Sequence, residues 1–477
     1  MHPDMETPRN NSMNHRKNGE VYIASLDIGT TKIAAMIARR DAAGKIEIVG
    51  FGRCDSRGVR RGVVVNIDDA VSAIQEAVTA AEQMAGLKIK YVHVGIAGHH
   101  IKSLQHRGNI IRKNGDEEIS VEDTERLVND MYNLMVNPGE EIIDVIPQEY
   151  TVDGEPGIKN PVGMLGTNLE ANFHIIVGKT AAAKNIYKCV RRAGLEVVDL
   201  ILEPLASAEA TLSDEEKEAG IVLVDIGGGT TDIAIFQDHI IRHTAVIPLG
   251  GEVITDDVRD GCSIIRKYAE ELKVKYGSAL ASENSDTDVV AIPGLKGRKH
   301  KEITLNNLAS IIQARMEEII ELVYNEIKAT GMEKKLIGGI VLTGGGAMLK
   351  HINLLTEYMT GMETRVGYPN EHCSANTPKH LNAPMYSTGI GLLLLGFKRM
   401  DKDLKRGEMV QVAASVNDTP AETVAPPKSV EPVADTSAKY SNKTSDETHE
   451  PPTAKAKPRK SFLERMQEWF NDNEQNY

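Results

Sequence analysis

A short apolar strand that ends in Asp-Ile-Gly occurs twice in this chain, in DIGTTK at Asp27–Lys32 and in DIGGGTTD at Asp225–Asp232. A third apolar strand runs into glycines without the acid, in LTGGGAML at Leu342–Leu349. Glycines let the backbone approach an anion closely, and successive N–H groups then form a nest for it. In the first turn Gly29, Thr30, Thr31 and Lys32 offer amides, hydroxyls and a point charge to phosphate. In the second, Gly227, Gly228, Gly229, Thr230, Thr231 and Asp232 form the matching set. Asp27 and Asp225 are hard oxygen ligands suited to Mg2+ through its water shell. A single turn of this kind is more often a structural hairpin or bulge. Two near-identical ones about 200 residues apart read instead as matching halves of a duplicated α/β fold, one half on each side of a phosphate chain. The third turn, with Gly344, Gly345, Gly346 and Met348, has no acid and suits the adenosine end.

Length and composition bound the rest. The 477 residues suggest roughly three units of about 150 residues. Acidic residues number 68 against 55 basic, a net charge of −13, which argues against a general nucleic-acid binder. Cys54, Cys189, Cys262 and Cys373 lie far apart with no CxxC pair, so they read as core residues in a reducing compartment. His99 and His100 have no third ligand at metal-like spacing. The first twenty residues lack an apolar signal-peptide core. No stretch approaches the roughly 18–20 apolar residues of a membrane span, and Gly389–Phe397 reads as a buried helix. Residues 1–19 read as disordered. Helical spacing occupies Asp68–Met84, Val121–Leu134, Lys179–Ala193, Val253–Tyr276 and Leu305–Ala329. Val289–Ile303 is a basic, glycine-punctuated hairpin candidate, and Ile337–Thr343 a strand.

The C-terminal part changes character. Residues 412–457 hold six prolines and no Leu, Ile, Met, Phe or Trp. They cannot bury enough apolar surface to offset their ordering entropy and read as a disordered linker. Then Phe462, Leu463, Met466, Trp469 and Phe470 follow. On an α-helix these five fall within an arc of about 120°. Ser461 with Glu464 makes a capping box, and Arg459, Lys460 and Arg465 add positive charge. Such a helix either docks back on the core or, as its place beyond a long polar linker argues, lies in a membrane interface as a tethered anchor. One such helix binds weakly, and an array of them binds firmly through effective concentration.

The three turns in this order, with Glu203-Pro204-Leu205-Ala206 between the first and second, resemble the actin/hexokinase/DnaK superfamily. Within it the chain resembles the FtsA family of bacterial cell-division proteins. The strings that carry this are SRGVRRG (Ser56–Gly62), VHVGIAGHHI (Val92–Ile101), VIPQEYTVDG (Val145–Gly154), GIKNPVGMLG (Gly157–Gly166), RHTAVIPLGG (Arg242–Gly251) and AEELKVKYG (Ala269–Gly277). The resemblance implies an actin-like two-lobed fold with ribonuclease-H-like subdomains 1A (residues 20–90 and 178–203) and 2A (204–251 and 336–400). Insertions 1C (91–177) and 2B (252–335), a linker (401–458), a membrane-targeting helix (459–471) and a tail (472–477) complete it.

The same resemblance implies ATP with Mg2+ as ligand, with Glu203 positioning the attacking water beside Asp225. Read alone, Glu203 is a favourable first-turn charge. Glu270 and Lys273 lie three apart on a helix and read alone as a solvated ion pair; the resemblance places them at the ribose or adenine. It also puts the binding of the FtsZ C-terminal peptide on 2B, where Arg298 and Lys299 belong to a basic run that alone reads as a solvated face. It implies polymerisation with further copies, recruitment of later division proteins, and a peripheral place on the cytoplasmic face of the membrane at the septum. Hydrolysis is expected to be slow at most. The alternative is a phosphotransferase or chaperone-like ATPase of the same superfamily. No sugar-kinase aspartate is identifiable for it, and linker stands where a peptide-binding domain would follow. A pilus-assembly actin homologue would be expected to lack the terminal helix.

Overall fold

The strand leading into the first Asp-Ile-Gly turn, Glu20–Ile28, is buried along nearly its whole length, as a strand covered on both faces must be. Tyr22, Ala24, Leu26 and Ile28 point into one apolar cluster and Ile23 into another. In this computed structural model the described residues are 15–17, 20–294 and 299–405. The chain divides into two compact units, residues 1–294 with 301–414 and residues 295–300 with 415–477. Only residues 299 and 300 of the second are described.

Two sheets within the first unit repeat one plan. Glu20–Ile28 pairs antiparallel with Lys32–Arg40, which pairs antiparallel with Ile46–Asp55. On its other side it runs parallel to Tyr91–Ile96, which runs parallel to Glu196–Leu202. Ile221–Ile226 likewise pairs antiparallel with Thr231–Gln237 and then Ile240–Ile247. Its other side carries parallel Ile340–Thr343 and then Thr364–Val366. Order and sense match strand for strand, so the duplication inferred from the two turns is present in the fold. Register carries the match to single residues: Asp27 faces Ala34 and Asp225 faces Asp232.

Inserted in the sequence of the first sheet, between Tyr91–Ile96 and Glu196–Leu202, lies an antiparallel sheet ordered Glu155–Ile158, Glu140–Val152, Asn168–Lys179, Lys102–Ile111. Leu127, Leu169 and Phe173 are central to its core. The helices follow in order: α1 (Ile67–Ala85), α2 (Val121–Met131), α3 (Thr180–Arg192), α4 (Glu203–Thr211), α5 (Asp214–Ala219), α6 (Gly251–Gly261), α7 (Arg266–Tyr276), α8 (Leu305–Ala329), α9 (Ile352–Thr360) and α10 (Ser387–Lys405). Small residues set the closest approaches. A Cβ on Gly52 would stand 1.9 Å from Ala77 O of α1, and one on Gly391 of α10 would stand 1.7 Å from Ala206 O of α4.

Several sequence expectations shift. Tyr91–Ile96 belongs to the first sheet, paired with Ser25 and Leu26, so the inserted sheet starts at Lys102 rather than at 91. The continuous helix expected at Val253–Tyr276 is broken into α6 and α7, because Ser263 takes a positive φ of 47° and Ile264 N turns back to Arg259 O. Helix α10 continues past 400 to Lys405, held by the paired bonds of Arg40 to Asp401 at 2.7 Å, so the linker cannot begin at 401. Within 1–19, His15–Lys17 is a strand paired with Glu20–Tyr22. Helix α8 spans Leu305–Ala329 as read. The hairpin is present as Val289–Ile292 with Lys301–Thr304. The linker beyond 405 and the terminal helix lie outside the described residues.

Candidate functional site

Both Asp-Ile-Gly strands deliver their turns to one place. A Cβ on Gly228 would stand 1.9 Å from Thr31 Oγ1, and one on Gly229 would stand 2.5 Å from Thr30 Oγ1. The two turns therefore face each other at a distance only glycine permits. The third turn closes on the second. A Cβ on Gly344, whose φ is +82°, would stand 2.3 Å from Asp225 Oδ1, while Gly345 opens onto free space. Helix α6 joins them, since the amides of Gly251 and Glu252 donate to the carbonyls of Gly227 and Gly228 at 2.9 and 2.8 Å. The Ser56–Gly62 loop reaches the first turn through Gly62 N, which donates to Thr30 Oγ1 at 3.1 Å.

Three carboxylates, Asp27, Glu203 and Asp225, gather here around one ammonium, and a fourth, Asp232, lies close enough to act on Glu203. Lys32 Nζ lies 2.6 Å from Asp27 Oδ2. Burial works against the Lys32 charge, but Asp27, Glu203 and Asp225 outweigh it and hold its pKa above the ordinary value. Burial, with Asp27, Asp232 and Asp225 adding to it, raises the Glu203 carboxyl well above its usual range. Burial also raises Asp225, partly offset by the Ser207 hydroxyl, which donates at 2.6 Å. Asp232, pushed up to about 7 by burial and by Asp225, accepts from Thr230 Oγ1 at 2.9 Å, while its Oδ1 is buried without a hydrogen-bond partner.

This excess of buried negative charge fits a divalent cation. Among the described residues no three His, Cys, Asp or Glu side chains stand together as direct ligands, so a hydrated ion shared with phosphate suits the donors better than a bare one. The glycine cradle and the hydroxyls of Thr30 and Thr31 fit phosphate oxygens, whereas the Thr230 hydroxyl is already engaged with Asp232.

Helix α7 closes the third-turn side. Lys350 N donates to Gly277 O at 3.3 Å and Ala279 N to Lys350 O at 2.8 Å. Glu270 and Lys273 pair at 2.6 Å, and Lys273 Nζ donates to Gly251 O at 2.8 Å. The pair, which read alone is a solvated one, is thus tied to the start of α6. Met348 ends a short 3-10 turn and is half exposed. Lys299 is exposed, and Arg298 lies outside the described residues, as do Arg459, Lys460, Phe462, Leu463, Met466, Trp469 and Phe470.

Three polar residues escaped the sequence reading: Ser207 and Thr388, which both reach Asp225 Oδ2, and Thr255. Ser207 follows Glu203 by one helical turn, and Thr255 follows Gly251 by one. That spacing could have nominated them, but only helix packing shows what they touch. All four cysteines are buried and free. No helix among the described residues is long and apolar enough to cross a membrane.

Residues 222–391 match the family model described as cell division protein FtsA, 98–177 that of the SHS2 domain inserted in FtsA, and 181–240 that of Hsp70 protein. The chain is 41% identical over 377 residues to cell division protein FtsA of Pseudomonas aeruginosa, covering 79% of this chain and 89% of the relative. For the protein of the same name from Escherichia coli the identity is 36% over 381 residues, with 78% and 90% covered. For that of Bacillus subtilis it is 36% over 376 residues, with 79% and 83% covered. Among solved structures, the chain resembles one titled PilM-PilN type IV pilus biogenesis complex, with a TM-score of 0.57 and 15% identity over 78% of this chain and 98% of that one. That likeness speaks to the fold alone.

Proposed function

The chain belongs to the FtsA family of cell-division proteins, and on that premise we propose that it is an ATP-binding, actin-like adaptor. In this reading it polymerises on the cytoplasmic membrane, ties FtsZ filaments to it and helps recruit later division proteins at the septum. The observation that supports the nucleotide part best is the close approach of the second glycine turn to both the first and the third, beside three carboxylates that share one lysine.

The first and second turns would hold the phosphates between Thr30, Thr31, Lys32 and Gly227–Thr231. Asp27 and Asp225 would hold Mg2+ through its water. Gly344–Gly346 and Met348 would face the adenosine, with Glu270 and Lys273 at the ribose or adenine. Mg2+ bound with ATP would supply the positive charge that this acidic site lacks. Glu203, with its raised pKa, suits a group that orients a water molecule, and slow hydrolysis follows as the most this site would do. Closing the two halves on one nucleotide, rather than turnover, is then its main work, as fits an adaptor better than a phosphotransferase or chaperone ATPase.

The other contacts rest on sequence and family. The terminal helix with Phe462, Leu463, Met466, Trp469 and Phe470 would lie in the membrane interface. The basic hairpin that includes Arg298 and Lys299 would take part in binding the FtsZ C-terminal peptide. Cosedimentation of the full chain with liposomes and FtsZ, with and without ATP, tests the whole reading. We expect FtsZ to pellet with liposomes only when this protein is present, and more so with ATP. FtsZ left in the supernatant would overturn the adaptor role.

A further inference from the structure

Thr255 is buried inside α6, 1% exposed, and its hydroxyl sits at a junction. Lys273 Nζ donates to Thr255 Oγ1 at 2.7 Å. Gly251 O, one turn back, lies 3.0 Å from the same oxygen, and Glu270 Oε2 is in close hydrogen-bonding contact with it. A hydroxyl has one proton to give. Gly251 O already accepts from Lys273 Nζ, whereas Glu270 offers a charged acceptor, and charge-assisted bonds are the stronger ones. The proton therefore belongs to Glu270, and the lysine fills the oxygen's accepting side. Glu270 is partly exposed, with 40% of its side chain open to solvent, so it keeps an open face while Thr255 and Lys273 hold its Oε2.

Gly251 also donates its amide to Gly227 O of the second phosphate turn. The carboxylate is thereby linked through two helices to the turn that cradles phosphate. We propose that Thr255 is a positioning residue for nucleotide recognition: it aims the Glu270 carboxylate at the ribose hydroxyls and ties that aim to the second phosphate turn. This rests on the nucleotide reading above. It adds a buried residue that touches no ligand and acts through Glu270.

The test measures binding of ATP and of 2′,3′-dideoxyATP, with Mg2+, to the full chain by titration calorimetry. Thr255→Val keeps the side-chain shape and removes the hydroxyl. It is expected to weaken ATP binding by about tenfold, the scale of a lost hydrogen bond to a charged group. Dideoxy-ATP affinity should stay the same, so the preference for ATP over its dideoxy analogue should shrink. Thr255→Ser should restore that preference. In a Glu270→Ala background, Thr255→Val should cost nothing further. Equal loss for both nucleotides would mean a merely structural role and overturn the inference. So would undiminished ATP affinity in Thr255→Val when Asp225→Ala weakens it. If the wild-type chain fails to bind ATP, or Asp225→Ala leaves its affinity unchanged, the underlying nucleotide reading falls and takes this inference with it.

Discussion

A side chain at Gly228 would strike Thr31 Oγ1 across the site, so Gly228→Val should hold the two turns apart. Asp225→Ala should remove a carboxylate on which Ser207 and Thr388 converge. Both variants should fold, since the strands behind the turns are otherwise untouched, and both should weaken Mg2+–ATP binding by tenfold or more, on the scale of about 1.5–3 kcal/mol for a lost charged contact. Titration with ATP checks this, and wild-type affinity in both variants would remove the phosphate-turn assignment. Asp232 carries a pH prediction. Its folded pKa is raised to about 7 from 3.8, so the folded state keeps a proton that the unfolded chain has released. Stability from this group is present at low pH and is lost as pH rises through about 7. Melting of Asp232→Asn should therefore gain on wild type as pH rises from 5 to 8, and a gap that does not change with pH would count against it. The turn residues were legible in the sequence because glycine and aspartate at a strand end answer a local chemical need. Ser207, Thr388 and Thr255 were not, because their partners are supplied by other helices and strands.

Among the elements, the first sheet and α1 fit through missing side chains. A Cβ on Gly52 would stand 1.9 Å from Ala77 O and one on Gly50 2.5 Å from Ala81 O. Gly52→Val should therefore push α1 off the sheet at a cost of about 1–3 kcal/mol or more. Urea unfolding measures it, and an unchanged midpoint would mean that the helix approaches less closely than described. Strand and helix positions were largely legible from periodicity. The α6–α7 break was not, since no proline marks it and the reversal rests on a left-handed Ser263. The place of Tyr91–Ile96 was also hidden, because strand pairing is a non-local choice. The terminal helix gives the second prediction at this scale. Trp469→Glu puts a charge amid the apolar arc, and charge burial is costly enough to exceed the gain from the other four side chains. The variant should bind ATP as wild type does yet fail to float with liposomes. Retained flotation would mean that the helix docks on protein instead.

For the molecule as a whole, the repeated sheets were the most legible feature, since one turn motif written twice predicts two matching halves. The inserted sheet was legible as a unit but not at its first strand. Partner contacts are tested at this scale. Reversing charge at Arg298 and Lys299 together should weaken binding of the FtsZ C-terminal peptide, most at low salt, where screening is least. Fluorescence anisotropy at two salt concentrations reads this, and unchanged affinity would move the contact elsewhere. Helix α10 has a mechanical consequence. Its first turn touches the Asp225 carboxylate through Thr388, its second turn is locked against α4 at Gly391, and nearer its far end Asp401 is pinned by Arg40. At about 1.5 Å per residue, its 19 residues form a strut of roughly 28 Å. A load on the chain beyond Lys405 would meet the Arg40 pin first and the helix crossing next. The carboxylate at the far end is reached only after both, so a pull from beyond Lys405 would spend itself there before it disturbed the three turns.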